Sequence, residues 1–144
     1  MSFSMSRATL PALEIGLNAL SAILDKAEAF AAAKKIDPSV LLNTRLAPDM
    51  FPLTRQVQIA TDLAKTVAFI KTLDAKQIDA APDRQITFPL GPTNKGQMKG
   101  DDYLNHFVLP NVYFHLTAAY AILRHCGLEI GKADFLGAIP MKQL

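Results

Sequence analysis

The sequence predicts an all-α protein, a bundle of long amphipathic helices with a small hairpin inserted before the last helix. Three observations predict it. Apolar residues recur in alternating steps of four and three along three segments. Capping residues, prolines or glycines bound each segment. One stretch, 74–102, instead gathers prolines and glycines around a short β-prone string. A length of 144 residues, half of them hydrophobic, predicts one domain over 1–144.

Composition argues against several classes of partner. The net charge of +2, from 15 basic and 13 acidic residues, gives no electrostatic basis for nucleic-acid binding. The longest apolar-rich stretch, 17–33, is interrupted by Asp25, Lys26 and Glu28, so we expect no membrane span. Cys126 is the single cysteine and has no intramolecular partner for a disulfide. A reducing compartment and a cytoplasmic location are therefore expected.

The first helix is predicted over 9–35, with Pro11 in its first turn, where a missing N–H costs nothing. Asp37 and Pro38 end it, and a short turn is expected over 39–43. Two prolines then make 45–52 a rigid connector. The apolar stripe of this helix consists of Leu13, Leu17, Leu20, Leu24, Ala27 and Ala31.

A second long helix is predicted from near Pro52 to about Leu73, with an apolar stripe of its own. Within 74–102, the string QITF at 85–88 predicts a strand and TNKG at 93–96 a turn, so 97–99 can pair back as a hairpin. The stripe of the second helix consists of Leu53, Val57, Ala60, Ala64 and Val67.

The last helix is predicted over 102–126, capped by Asp101 or Asp102 and ended by Gly127. Pro110 lies inside it, which predicts a kink or a break. The tail from residue 128 is expected to lie along the bundle.

Polar residues on apolar helix faces are the candidate site. At 100° per residue, His115 falls within the apolar arc of the last helix, and Asn111 lies one turn before it. Gln56 falls within the arc of the second helix. Buried polar groups need partners, so two interpretations stay open. Either these three polar residues form a structural network, or they form the core of a metal or ligand site of the kind that helical bundles often contain. Amides are weak metal ligands, which favours the network.

Gln56, Asn111 and His115, with Tyr120 on the flank of the last helix, form the candidate ligand pocket beneath Pro110. His115 is the candidate catalytic residue, as a general base near neutral pH. No nucleophile elbow, phosphate-binding glycine loop, HExxH or CxxC motif is present.

Several strings resemble a bacterial family known as domain of unknown function 1993. They are RLAPDMFPL at 45–53, RQVQIA at 55–60, LPNVYFHL at 109–116, AYAILRH at 119–125 and GKADFLG at 131–137. That family is similar to the DinB/YfiT-like up-down four-helix bundles, many of which bind metal and some of which are thiol-dependent transferases or isomerases.

The resemblance implies a site. The wider group carries three metal-binding histidines, one on the second helix and an HxxxH pair on the last. Counted from Gly127, His115 matches the second histidine of that pair and Asn111 the first. The second-helix ligand falls near Gln56 or Gln58, and the helical wheel favours Gln56. Two of three ligands are then amides, which implies a degenerate site and argues against a bound divalent metal.

One departure from the family bears on assembly. Relatives carry a longer stretch where Lys65 runs directly into Thr66, so two helices are here fused into one. Three long helices leave an apolar surface uncovered, which predicts a domain-swapped homodimer.

Two classes of function remain. One is an uncharacterised bundle with a degenerate site and no catalysis of its own. The alternative is a metal- or thiol-dependent transferase or hydrolase acting at His115 on a small-molecule ligand.

Overall fold

Three long helices form the framework of the protein. The computed structural model describes residues 5–72 and 83–140, with side chains described over 10–62 and 83–140. Helix α1 covers Met5–Lys34, α2 Pro38–Asn43 and α3 Leu53–Thr72. Strands β1 (Gln85–Leu90) and β2 (Asn94–Lys99) follow, then α4 (Leu109–His125) and α5 (Lys132–Leu136). Within the described residues, no helix is long and apolar enough to cross a membrane.

Helix α1 begins earlier than predicted, at Met5, so that Pro11 lies in its interior and not in its first turn. The helix ends where Lys35 adopts a left-handed φ of 53°, and the N–H of Ile36 bonds back to the carbonyl of Ala31 at 2.9 Å. The predicted turn at 39–43 is the short helix α2. Asp37 caps it by accepting a hydrogen bond from the N–H of Ser39 at 2.8 Å.

The helices α1, α3 and α4 pack against one another, and α2 covers part of α3. Helix α3 is continuous through Lys65 and Thr66, as predicted. The side chains of Ala64 and Val67, and segments 73–82 and 141–144, lie outside the described residues. The largest buried side chains of the core that these helices enclose are Leu13, Ile23, Leu53, Val112, Ile122 and Leu123.

The predicted hairpin is present, but its strands are longer than expected and its turn lies at 91–93, not at the predicted 93–96. Strands β1 and β2 are antiparallel, and Phe88 lies opposite Gly96. A Cβ atom at Gly96 would lie 2.9 Å from the Phe88 ring, so glycine gives this ring its space. Phe88 is buried against Tyr103 and Phe107, with ring centroids 4.7 and 4.5 Å apart. The hairpin is therefore held to the start of the last helical segment by aromatic packing.

Pro110 does not break the last helical segment, but the helix changes from π to α geometry immediately before it. A single α-helical turn, Gly100–Asp102, leads into a π-helical segment, Tyr103–Val108, and this leads directly into α4. The N–H of Leu109 donates to the carbonyl of Leu104, five residues earlier. The wider π turn leaves room for the Pro110 ring, which in an α-helix clashes with the preceding turn. The predicted Asp101 or Asp102 cap is also replaced, since Lys99 is the N-cap residue.

The tail returns to the bundle. Gly127, with φ of 91°, ends α4 as predicted, and α5 packs on α1. Asp134 accepts hydrogen bonds from Lys26 Nζ at 2.5 Å and from the N–H of Gly131 at 2.8 Å. Both donors, the lysine first, lower the pKa of the Asp134 carboxyl. One ion pair thus ties α5 to the first helix.

Candidate functional site

A buried histidine–glutamine pair lies between α3 and α4. His115 Nδ1 lies 2.6 Å from Gln56 Oε1. Gln56 is 1% exposed and His115 is 7% exposed, and they are the two buried polar side chains of the described residues. Helical periodicity places Gln56 and His115 on the apolar faces of their helices, and the packing of α3 on α4 brings these two together.

The hydrogen bond made by the amide nitrogen of Gln56 determines which nitrogen of His115 carries the proton. Gln56 Nε2 donates to the carbonyl of Phe51 at 3.1 Å, and a carbonyl can only accept. The amide oxygen therefore faces His115, so Nδ1 carries the proton and donates. In the neutral ring, the free lone pair is then on Nε2.

Nε2 is also the accessible nitrogen of this ring. Within the described residues, no fully buried side-chain nitrogen or oxygen lacks a hydrogen-bond partner, and the bond of His115 is made by Nδ1. The residual exposure of His115 therefore includes Nε2. Burial, and then the charge of Arg55, lower the pKa of His115 below its usual 6.5. At neutral pH the ring is a neutral base whose acceptor atom, Nε2, is not fully buried.

Asn111 and Tyr120, the other predicted pocket residues, lie apart from this pair. Asn111 is half-buried one turn before His115, and no side-chain hydrogen bond within the described residues joins it to Gln56 or His115. The Tyr120 hydroxyl donates to the carbonyl of Ile130 at 3.4 Å, and its ring meets the Phe135 ring edge-on at 5.7 Å. Tyr120 thus contacts the tail.

The donor set does not fit a divalent metal ion. Gln56 Oε1 already accepts from His115, and its nitrogen already donates to Phe51, so the glutamine offers little to a cation. One histidine nitrogen is left where zinc-type sites use three or four histidine, cysteine or carboxylate groups. Over residues 5–72 and 83–140, no cluster of three such groups that could hold a metal ion is found.

Three residues beside the pair were not predicted as part of a site. The Phe114 ring meets the His115 ring edge-on, with centroids 5.3 Å apart. The Arg55 guanidinium carbon lies 5.9 Å from the centroid of the Phe51 ring. The spacing of four between Phe51 and Arg55, and the adjacency of Phe114 to His115, were the signals available in the sequence.

A small cavity elsewhere in the core offers no ligand site. It has a volume of about 10 Å³, barely room for one water molecule. Because none of its lining side chains is polar, it is a packing defect. The lining residues are Gly16, Ala19, Leu20, Ile23, Leu116 and Phe135.

Comparison with known proteins agrees with this architecture. The chain is similar to a solved structure of a DinB family member protein from Shewanella denitrificans, with 35% identity and a TM-score of 0.78. The similarity covers 94% of this chain and 93% of that one. No functionally curated protein matches the chain. The fold is therefore that of a DinB-like helical-bundle protein.

The family can be stated more narrowly. The family model described as "Domain of unknown function (DUF1993)" matches residues 5–68 and 61–136. The two matches span nearly the whole chain, and the chain belongs to this family. The first match ends, and the second begins, within helix α3.

Proposed function

We propose that this chain is a cytoplasmic DinB-like bundle in which a metal position has become a small-molecule site built on His115, without catalysis of its own. The observation that carries the proposal is the 2.6 Å hydrogen bond between His115 and Gln56. Two positions that the family resemblance assigns to metal ligands bond to each other. The single cysteine supports the reducing location.

Rebuilding the three-histidine set tests the degenerate site. Gln56→His with Asn111→His places imidazoles at the positions that the resemblance assigns to ligands. We expect zinc or nickel to raise the melting temperature of this variant and to leave that of the parent chain unchanged. Gln58→His with Asn111→His is the matched control, because Gln58 is exposed. A metal-dependent shift in the parent chain, or stoichiometric metal in the purified protein, would overturn the proposal.

A second candidate is a thiol-dependent transferase or hydrolase in which His115 acts as the general base. The accessible Nε2 and the lowered pKa of His115 favour it, because a neutral imidazole can take a proton from a thiol or a water molecule. The variant His115→Ala separates the candidates. Loss of stability alone indicates a structural pair. Loss of turnover of a thiol or ester probe by protein that is still folded indicates catalysis, because loss of the hydrogen bond to Gln56 lowers the stability in either case.

We also propose a two-fold homodimer. Helix α3 is continuous where the two family-model matches overlap, as expected if a connector between two helices is missing. A helix that cannot fold back leaves contacts for a second copy to supply. Light scattering at micromolar concentration is expected to give twice the chain mass, and a flexible glycine–serine insertion after Lys65 to give a monomer. A monomeric mass for the parent chain would refute the dimer.

A further inference from the structure

Two exposed phenylalanines adjoin the buried pair. Phe51 is 52% exposed and Phe114 is 57% exposed, although phenylalanine is among the residues most often found inside proteins. Both are connected to the pair. Phe114 contacts the His115 ring edge-on, and the Phe51 carbonyl holds the Gln56 amide. The Phe114 ring therefore lies beside His115, and the backbone of Phe51 is joined to the pair through the Gln56 amide.

A cation with unused donors adjoins the same surface. The side chain of Arg55 makes one long hydrogen bond, 3.4 Å to Gln58 Oε1, and lies over the face of Phe51. No carboxylate of the described residues pairs with it. A guanidinium has five N–H donors in a planar fork, which suits a carboxylate through two parallel hydrogen bonds. Arg55 is thus available to an anion.

Three exposed side chains, those of Phe51, Arg55 and Phe114, thus adjoin the buried pair, and together with His115 they are called here the Arg55 surface. The guanidinium attracts an anion, the phenylalanine faces pack against a flat apolar group, and Nε2 accepts a hydrogen bond. Gln56 orients the acceptor, because it holds the proton on Nδ1.

We propose that the Arg55 surface binds a small aromatic carboxylate that carries a hydroxyl or N–H donor. Arg55 holds the carboxylate, Phe51 and Phe114 contact the ring, and the donor bonds to His115 Nε2. This inference rests on the proposed function, since it requires His115 to contact a small molecule and not a metal ion. It adds the chemical class of that molecule.

Titration calorimetry with hydroxybenzoates tests the assignment. The 2-, 3- and 4-hydroxy isomers are the probes. Hydroxybenzyl alcohols, which lack the carboxylate, and acetate, which lacks the ring, are the comparison ligands. We expect at least one hydroxybenzoate to bind, and both comparison ligands to bind about tenfold more weakly or worse. Equal binding of the alcohols would overturn the role of Arg55, and no binding of any hydroxybenzoate would overturn the proposal.

Matched variants locate the site. Arg55→Gln and Phe114→Leu change exposed side chains, so both are expected to fold, and thermal unfolding verifies this. Each is expected to weaken hydroxybenzoate binding by about tenfold, whereas Arg84→Gln, an exposed arginine before β1, leaves it unchanged. Undiminished binding in Arg55→Gln would overturn the proposal. So would a change in Phe114→Leu that affects only the oligomeric mass, because that phenylalanine would then be an interface residue.

The two proposals fail in different measurements. The proposed function is refuted if the parent chain binds metal. The aromatic-carboxylate proposal is refuted if metal-free protein does not bind any hydroxybenzoate. A parent chain that binds neither metal nor hydroxybenzoate overturns the aromatic-carboxylate assignment and leaves the degenerate-site proposal standing.

Discussion

Replacing Gln56 with leucine tests the central interaction of the structure. The substitution keeps a side chain of similar size but removes both atoms of the amide that hydrogen-bond. The Nδ1–H of His115 then stays buried without an acceptor, which costs about 1–3 kcal/mol. The Phe51 carbonyl loses its side-chain donor, and the added apolar burial offsets part of the loss.

The expected net loss is about 2 kcal/mol of unfolding free energy, within the range for breaking a buried hydrogen-bonded pair. At about 3 °C per kcal/mol for a chain of this size, the melting temperature falls by about 6 °C. Urea unfolding measures the free energy directly. Gln58→Leu is the matched control, because this glutamine is on the same helix but exposed, and we expect a change within about 0.5 kcal/mol.

A double-mutant cycle distinguishes the hydrogen bond from simple packing. Replacing both partners with apolar groups, Gln56→Leu with His115→Phe, leaves no unpaired donor. The double variant is therefore expected to be more stable than Gln56→Leu alone, with a coupling energy of about 2 kcal/mol. If Gln56→Leu costs no more than Gln58→Leu, or if the two substitutions simply add, the assigned hydrogen bond is not what stabilises this interface.

Three other outcomes follow from single features. The pKa of His115 is lowered in the folded state, so between that pKa and 6.5 the unfolded chain binds more protons than the folded one. Urea unfolding should therefore show that stability decreases as pH falls through and below 6.5. The decrease should be less steep in His115→Phe, which lacks the titrating group. The lowered pKa of Asp134 predicts that stability also decreases as pH falls below the usual carboxyl value of 3.8. Lys26→Met removes the ion pair between α1 and α5 and should speed hydrogen exchange in α5 at neutral pH. Gly127→Ala places a side chain at φ of 91° and should cost about 1–2 kcal/mol in thermal unfolding, whereas Gly131→Ala, with φ of −132° and open space around it, should be near neutral.

Helical periodicity was sufficient to identify the buried pair. A period of 3.6 residues fixes the direction of each side chain around its own helix, so Gln56 and His115 could be assigned to interior faces. The period does not determine the axial position of one helix along the other, and so does not say which residues come opposite each other. That Gln56 pairs with His115, 59 residues away, and that Asn111 does not, depends on how α3 lies along α4. Tyr120 shows the same limit, because its partners come from the tail.

Local rules were less successful at helix starts and at proline. The residues from Met5 add no periodic apolar position, so the pattern predicted a start at residue 9 and Pro11 in the first turn. The Arg55 surface was missed for a different reason. Exposed Phe51 and Phe114 look like core residues in the sequence, and only the packing of the other helices leaves them outside.

The π-helical segment should allow the last long helix to lose one residue without being disrupted. A π turn holds about one residue more than an α turn, so deleting one residue from Tyr103–Val108 would let the backbone close into α-helix without shortening α4. The hairpin would then rotate by about 100° around the helix axis, while the histidine–glutamine pair stayed in register. The space for the Pro110 ring would be lost at the same time. Among relatives, a shorter segment at this place is expected to occur together with the absence of that proline.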